Sequence, residues 1–371
     1  MRMKINKVIS SLSASNAAIK NTAATEPHEG WYPTYSASGQ DVWLPEYRYE
    51  QRGIVVSAVG ARCGKAFKAD GKWNVCANTH PLFVDESIAD RDYCWYMLNN
   101  ESWWIKGGTA QPFVKVKDSL NREYDFPTIE EQHTTVKRLD ILTQIIGFRQ
   151  QQLTELDNLI KARFVEMFGD TVLNPLSLPS TALESMADIV SGITKGRKTK
   201  EQNLTEVPYM AVSNVKNGYI DWTTVKTILA TEAEVKQYRL LPDDVLMTEG
   251  GDPDKLGRGA IIRKPLENCI HQNHIFRVRL DENLLLPTYF AEYLQHPKAK
   301  QYFLGCAKQT TGIASINMGQ LRNLPVLVPP IDKQSEFDIF VAQVDKSKVV
   351  VQKALNETQM LFDSLMQEYF G

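Results

Sequence analysis

Several short stretches carry residue types that perform chemistry in other proteins. Gly60-Ala61-Arg62-Cys63-Gly64-Lys65-Ala66 has the glycines and lysine of a phosphate-cradling loop. Three residues rather than four separate its glycines, however, and no Ser or Thr follows the lysine to hold magnesium, so no nucleotide site is expected there. His271 and His274 stand three apart in a strand-like segment, which points them to opposite faces. The six histidines show no metal-ligand spacing, and no metal is expected. Adenine methylation needs an Asn/Asp-Pro-Pro-aromatic loop, which Asn174-Pro175-Leu176 does not supply. A metal nuclease needs clustered carboxylates ahead of a lysine, whereas Glu234-Val235-Lys236 precedes Pro242-Asp243. His80 and His274 hold similar places in the two halves of the chain, but no partner residues recur beside them. No catalytic residue is assigned, and the chain by itself is read as non-catalytic.

Binding chemistry is better represented. Lys195-Gly196-Arg197-Lys198-Thr199-Lys200 places four cations in six residues beside a flexible glycine. Such a loop neutralises phosphates and reaches base edges. Arg62, Lys65, Lys68 and Lys72 follow a strand-like segment, and Arg258 and Arg263 hold the related place in the second half. Arginine reads guanine with two hydrogen bonds. Ser213, Asn214 and Asn217, like Tyr35, Ser36 and Ser38, carry donors and acceptors suited to groove contacts, although each type is also a common turn residue. The candidate DNA-binding set is therefore Tyr35, Ser36, Ser38, Arg62, Lys65, Lys68, Lys195, Arg197, Lys198, Lys200, Ser213, Asn214 and Arg258. A net charge of −2 excludes general coating of polyanions but permits a local basic surface.

These loops need something to hold them, and the chain repeats its own scaffold. Residues 126–169 return 202 positions later as 328–371 without a gap. Pro127, Ile129 and Gln132 return as Pro329, Ile331 and Gln334, and Glu166, Phe168 and Gly169 return as Glu368, Phe370 and Gly371. Within each copy apolar residues recur near every 3.5 positions: Leu139, Leu142, Ile146, Leu153 and Leu156 in the first, Val344, Val351 and Leu355 in the second. This period predicts a helix of about 40 residues, about 60 Å long, of the kind that pairs as a coiled coil. Ahead of each helix lies a variable unit of mixed α/β pattern. Gly53 to Gly60 and Val245-Leu246-Met247 read as strands, and Asp92 to Asn100 as a helix. The second unit carries an insertion around Val207 to Trp222. No apolar run reaches the ~18 residues of a membrane span, and no apolar core follows the basic Met1-Arg2-Met3-Lys4, so neither span nor secretion signal is expected. Five cysteines without paired spacing read as free thiols of a reducing, cytoplasmic compartment.

The phrases Phe126-Pro127-Thr128-Ile129-Glu130-Glu131-Gln132, Val328-Pro329-Pro330-Ile331-Asp332-Lys333-Gln334, Phe164-Val165-Glu166-Met167-Phe168-Gly169 and Tyr32-Pro33-Thr34-Tyr35-Ser36-Ala37-Ser38-Gly39 resemble those of the specificity subunits of bacterial type I restriction-modification enzymes. The resemblance spans nearly the whole chain. It implies an α/β (α+β) fold with two mixed target-recognition domains (1–128 and 170–328) separated by two long helices (129–169 and 329–371). The helices are implied to pair as an antiparallel coiled coil with pseudo-two-fold symmetry. It implies that each domain reads one half of a bipartite site in double-stranded DNA. Its implied partners are two modification (methyltransferase) subunits, docked on the apolar helix residues named above, and two restriction (translocase/nuclease) subunits. S-adenosylmethionine, ATP and Mg are implied to reside in those partners, with no cofactor in this chain. The system defends against phage, or is an orphan methyltransferase without restriction. A coiled-coil scaffold that binds protein rather than DNA is the reading from another class.

Overall fold

The computed structural model describes residues 1–12, 23–198, 203–251, 256–310 and 313–371. The chain divides into two compact units: Met1–Gln150 with Lys353–Gly371, and Gln151–Gln352.

In the first unit the centre is Gly53–Ser57, all five residues buried, as expected of a β-branched run covered on both faces. It pairs antiparallel with Thr79–Val84 and Ala66–Ala69, and Ile9–Ser11 completes a four-stranded sheet. Gly53 has no side chain for a packing reason: a Cβ there would lie 2.6 Å from the Trp73 ring. A second sheet is built on Tyr32–Ser36, antiparallel to Gly39–Leu44 and parallel to Lys72–Val75. The helix Arg91–Leu98 is started by Asp90, whose carboxylate accepts from the Tyr93 amide at 2.9 Å.

The second unit repeats the plan. Asp244–Thr248 is the buried centre, between Ile275–Leu280 and Gly259–Ile262, with Ala187–Ser191 outermost. Thr205–Met210 runs antiparallel to Lys226–Ala230 and parallel to Ile270–His271. Thr205–Met210 is thus the counterpart of Tyr32–Ser36, so Val207 to Met210 is not inserted sequence. The insertion is narrower, residues 211–225, where the first unit has only the turn at Ala37 and Ser38.

The repeated segments are single helices, Ile129–Phe168 and Ile331–Phe370, each 40 residues. The first opens with Thr128 and Glu131 capping one another: the Thr128 amide donates to Glu131 at 2.8 Å, and this bond holds the Glu131 carboxyl below its ordinary range. It closes at Gly169, φ +74°, where a Cβ would meet Pro175 at 2.7 Å. Within the first unit Arg138 donates to the Tyr369 hydroxyl at 2.9 Å, and Arg149 donates to the Ala354 carbonyl and the Thr358 hydroxyl. Within the second, Asp157 pairs with Lys348 at 2.7 Å and Arg163 with Glu336 at 2.8 Å. Partner numbers fall as residue numbers rise, so the paired segments are antiparallel in each unit.

The far end of each helix enters a domain core. Phe370 packs against Tyr93 at 5.0 Å, and Phe168 packs against Tyr289 at 4.9 Å. Gln132 and Gln334 are fully buried and hydrogen-bonded.

Candidate nucleic-acid interface

The parallel and antiparallel pairings bring four loops to one end of the sheets in each unit. In the first unit these are the strand exit after Ser11, the turn at Ser36–Ser38, the loop Ala58–Lys65 and the segment Cys76–Asn78. Cys76 donates its amide to Tyr35, Ala58 to Asn78, and Leu12 to Pro81. In the second unit Ile193 donates to His271, Asn273 to Ile193, Gln272 to Met210 and Glu249 to His274. These bonds join the loops 192–198, 211–214, 249–251 and 271–274.

The strand Gly53–Ser57 ends in a loop whose amides are already spent. Gly60, Cys63, Gly64 and Lys65 donate to the carbonyls of Pro112, Gly60, Ser57 and Arg62. None of these four amides is free to cradle a phosphate. Arg62 stands exposed on this loop. Lys65 and Arg258 are structural counterparts: the Ser57 amide donates to the Lys65 carbonyl at 2.9 Å, and the Thr248 amide to the Arg258 carbonyl at 3.1 Å. Arg258 is partly buried, and its Nε has no hydrogen-bond partner among the described residues.

The basic loop begins at Gly192, where a Cβ would lie 1.9 Å from the His271 carbonyl oxygen, so only glycine permits the close approach. Gly196 turns the chain at φ +76°. Lys195 and Lys198 are exposed and make no ion pair with another described residue. Arg197 differs. Its guanidinium pairs with Glu234 and donates to the Leu229 carbonyl at 3.1 Å, and this holds the Glu234 carboxyl below its usual range. Lys200 lies outside the described residues.

Other members of the expected set have interior duties. Tyr35 is buried and donates its hydroxyl to the Lys68 carbonyl at 2.8 Å. Asn214 is fully buried; it accepts from the Ala211 amide at 2.9 Å and donates to the Asp221 carbonyl at 2.9 Å, closing the inserted loop. Lys68 lies over the Trp95 ring at 4.4 Å and pairs with Asp92 at 3.0 Å, away from the loop cluster. Ser36 donates to Asp41 at 2.7 Å and receives the Ser38 amide at 3.0 Å, while the Ser38 side chain and Ser213 are exposed in their turns. Asn217 faces elsewhere: with Gly218 and Tyr219 it lines a cleft toward Asp157, Lys161 and Asp345 of the long helices. Residue type alone does not distinguish a groove contact from a turn or core hydrogen bond, which is why the set divides this way.

The apparent histidine pair dissolves in the sheet register. His80 lies opposite Val56, and the matching position opposite Met247 is Phe276. His274 corresponds instead to Asn78, each giving its carbonyl to the first amide after the central strand, and pairs with Glu249 at 2.6 Å. His271 is fully buried, and its Nδ1–H donates to the Ile275 carbonyl at 3.1 Å. Burial pushes its pKa down to about 4. A depressed native pKa contributes stability that is complete above the unfolded value of about 6.5 and is lost as pH falls toward 4. Urea titrations should therefore show roughly 3 kcal/mol of pH-dependent stability lost between pH 6.5 and 4, a loss that His271→Gln flattens. A loss of equal size in the variant would place the proton uptake elsewhere.

The helix residues expected to dock partners are largely turned inward. Leu139 and Val344 are buried, and Leu142, Ile146, Leu153, Leu156, Val351 and Leu355 are partly buried. A stripe of 3.5-residue period is what one helix buries against another, so it leaves little to offer outside. The exposed large apolar side chains are Ile141, Phe148, Leu159 and Val165 on the first helix and Ile331, Ile339, Val349, Val350, Met360 and Leu361 on the second. Their signal was present in the sequence as Ile339, Val350 and Leu361, eleven apart, a spacing that returns to one helix face after three turns.

Residues 180–358 match the family described as type I restriction modification DNA specificity domain. The specificity subunit of the type I restriction enzyme EcoKI of Escherichia coli (strain K12) is 21% identical over 253 residues, covering 65% of this chain and 54% of that protein. The putative MjaX specificity subunit of Methanocaldococcus jannaschii is 27% identical over 182 residues, covering 46% and 43%. The chain thus spans about half the length of these curated relatives. In fold, the type I restriction-modification S subunit from M. genitalium superposes with a TM-score of 0.59 at 15% identity, covering 100% of this chain and 96% of that one. The class is that of two-domain proteins in which mixed α/β units are carried on long paired helices. Within that class, residues 180–358 resemble the DNA specificity domain, and the relatives and fold neighbour just described are type I restriction-modification specificity subunits.

Proposed function

We propose that the chain is the DNA-reading, non-catalytic subunit of a type I methyltransferase/endonuclease, each loop cluster recognising one half of a bipartite duplex site. The observation that carries this reading is the recurrence of one loop cluster on one sheet topology, with exposed cations in both that make no ion pair among the described residues: Arg62 in the first, Lys195 and Lys198 in the second. Exposed lysines neutralise phosphates and set affinity, and the turn residues around them reach base edges. Two modification subunits dock on the outward apolar residues of the long helices, and two restriction subunits join that assembly. S-adenosylmethionine, ATP and Mg belong to those partners, and flipping of the target adenine is theirs to perform. No described helix is long and apolar enough to cross a membrane, which fits a cytoplasmic complex on the chromosome.

Mapping methylated adenines in the genome that encodes the chain tests the reading. The expected result is one two-part motif with a fixed gap, lost when the gene is deleted. A methylation pattern unchanged by the deletion overturns the proposal, and a continuous, ungapped motif overturns the two-domain division of labour.

A further inference from the structure

Gln132 and Gln334 make the same set of bonds, and neither is explained by helix formation alone. Gln132 Oε1 accepts from the Asp90 amide at 2.8 Å, and its Nε2 donates to the Pro127 carbonyl at 2.9 Å and the Ile88 carbonyl at 3.4 Å. Gln334 Oε1 accepts from the Leu286 amide at 2.8 Å, and its Nε2 donates to the Pro329 carbonyl at 2.9 Å and the Leu284 carbonyl at 3.1 Å. Both side chains are 0% exposed. Each amide ties the first turn of a long helix to the segment that enters a domain helix, Arg91–Leu98 or Pro287–Tyr293.

A single strand connects each clamp to the loop cluster of its unit. Thr79–Val84 starts at the loops and runs into the segment held by Gln132; Ile275–Leu280 starts at the loops and runs into the segment held by Gln334. Six residues of strand make a lever of about 20 Å. Other attachments of helix to domain include ring contacts, Tyr93 with Phe370 and Tyr289 with Phe168, which tolerate tilt because apolar contact is non-directional. Side-chain bonds further along each long helix, Tyr96 to Asp140 at 2.6 Å and Thr288 to Asp338, add to the clamp, but neither matches the three bonds each glutamine makes. Hydrogen bonds constrain angle as well as distance. A tilt of about 10° at the clamp moves loops 20 Å away by about 3.5 Å, close to the ~3.4 Å rise of one base pair.

We infer that Gln132 and Gln334 are positioning residues that fix the angle of each recognition domain on its helix, and so restrict binding to one gap length. The inference rests on the reading of the chain as a bipartite DNA reader. It assigns gap selectivity to two side-chain amides as well as to helix length, and it assigns base recognition to neither.

The test is selection of randomised duplex DNA by the full-length chain, comparing wild type with Gln132→Met and Gln334→Met. Methionine fills the same volume without the hydrogen bonds. The wild type is expected to enrich two half-sites at one gap. Each variant is expected to enrich the same half-sites with discrimination against gaps one base pair longer or shorter reduced by about tenfold, and to exchange the Asp90 or Leu286 amide hydrogen faster. A variant that keeps the wild-type gap distribution overturns the inference, whether or not the amide exchanges faster, and so does one whose half-sites change. If the wild type enriches no two-part sequence, the bipartite reading fails and the inference falls with it. Should a Met variant not fold, Gln→Glu at the same position keeps the acceptor and removes both donors, and the same outcomes apply.

Discussion

Phe164→Ala is expected to lower the stability of the unit Gln151–Gln352 by about 3–5 kcal/mol. The ring is 0% exposed. It stacks on His296 at 4.2 Å and Tyr289 at 5.3 Å, meets Phe168 at 5.0 Å, and meets Phe337 of the other long helix at 5.6 Å. One side chain therefore joins three helices, and none of them is free to close the space left by its removal, because each is fixed by other contacts. The transfer and cavity terms both apply in full. The measurement is the urea midpoint at constant m. Phe148→Ala is the control: on the same helix, with a ring 68% exposed, it should change stability by no more than about 0.5 kcal/mol. A shift under about 1 kcal/mol for Phe164→Ala would mean that the site collapses and that the helix end is not a structural part of the domain.

Replacing Lys195 and Lys198 together by Ala is expected to weaken binding to all duplex sequences alike. It should also reduce the slope of log affinity against log salt by about 1.8, since each neutralised phosphate contributes about 0.9. Both side chains are exposed and have no described ion-pair partner, so their charge is available. Arg197→Ala should behave differently even though it sits between them. Its guanidinium is engaged by Glu234 and the Leu229 carbonyl, so the slope should hold while the helix Glu232–Tyr238 and its capping Thr231 lose support. Salt titration of binding by fluorescence anisotropy separates the two cases. An unchanged slope in the double lysine variant would make the run a solvated surface. A fall of about 0.9 with Arg197→Ala would mean that the arginine leaves Glu234 for a phosphate.

Much of the architecture was legible in the order of residues. A repeat 202 positions apart and an apolar period near 3.5 specify two long helices, because periodicity is a local property that one helix face expresses directly. The observed bounds Ile129–Phe168 and Ile331–Phe370 fall within the repeated stretches. The absence of a phosphate-loop spacing was also readable, and the folded loop adds the reason: the amides at Gly60 and Gly64 are consumed by backbone carbonyls.

What tertiary structure alone decided is which side chains are free. Arg197 and Lys198 are neighbours of similar type, yet one is engaged by a carboxylate 37 residues away and the other has no carboxylate partner among the described residues. Tyr35 and Asn214 have the hydrogen-bonding groups of a recognition surface and spend them inside. The helix stripe predicted to meet partners is turned inward because burial of an apolar face is worth most where two such faces meet. Gln132 and Gln334 stood out in the sequence only as a repeated pair; that each is a buried three-bond clamp depends on backbone groups 42 and 48 residues away. Hydrophobic period is written locally and survives translation into structure. Hydrogen-bond and charge partners are chosen by topology, which brings distant backbone and side chains within 3 Å and leaves no trace in local spacing.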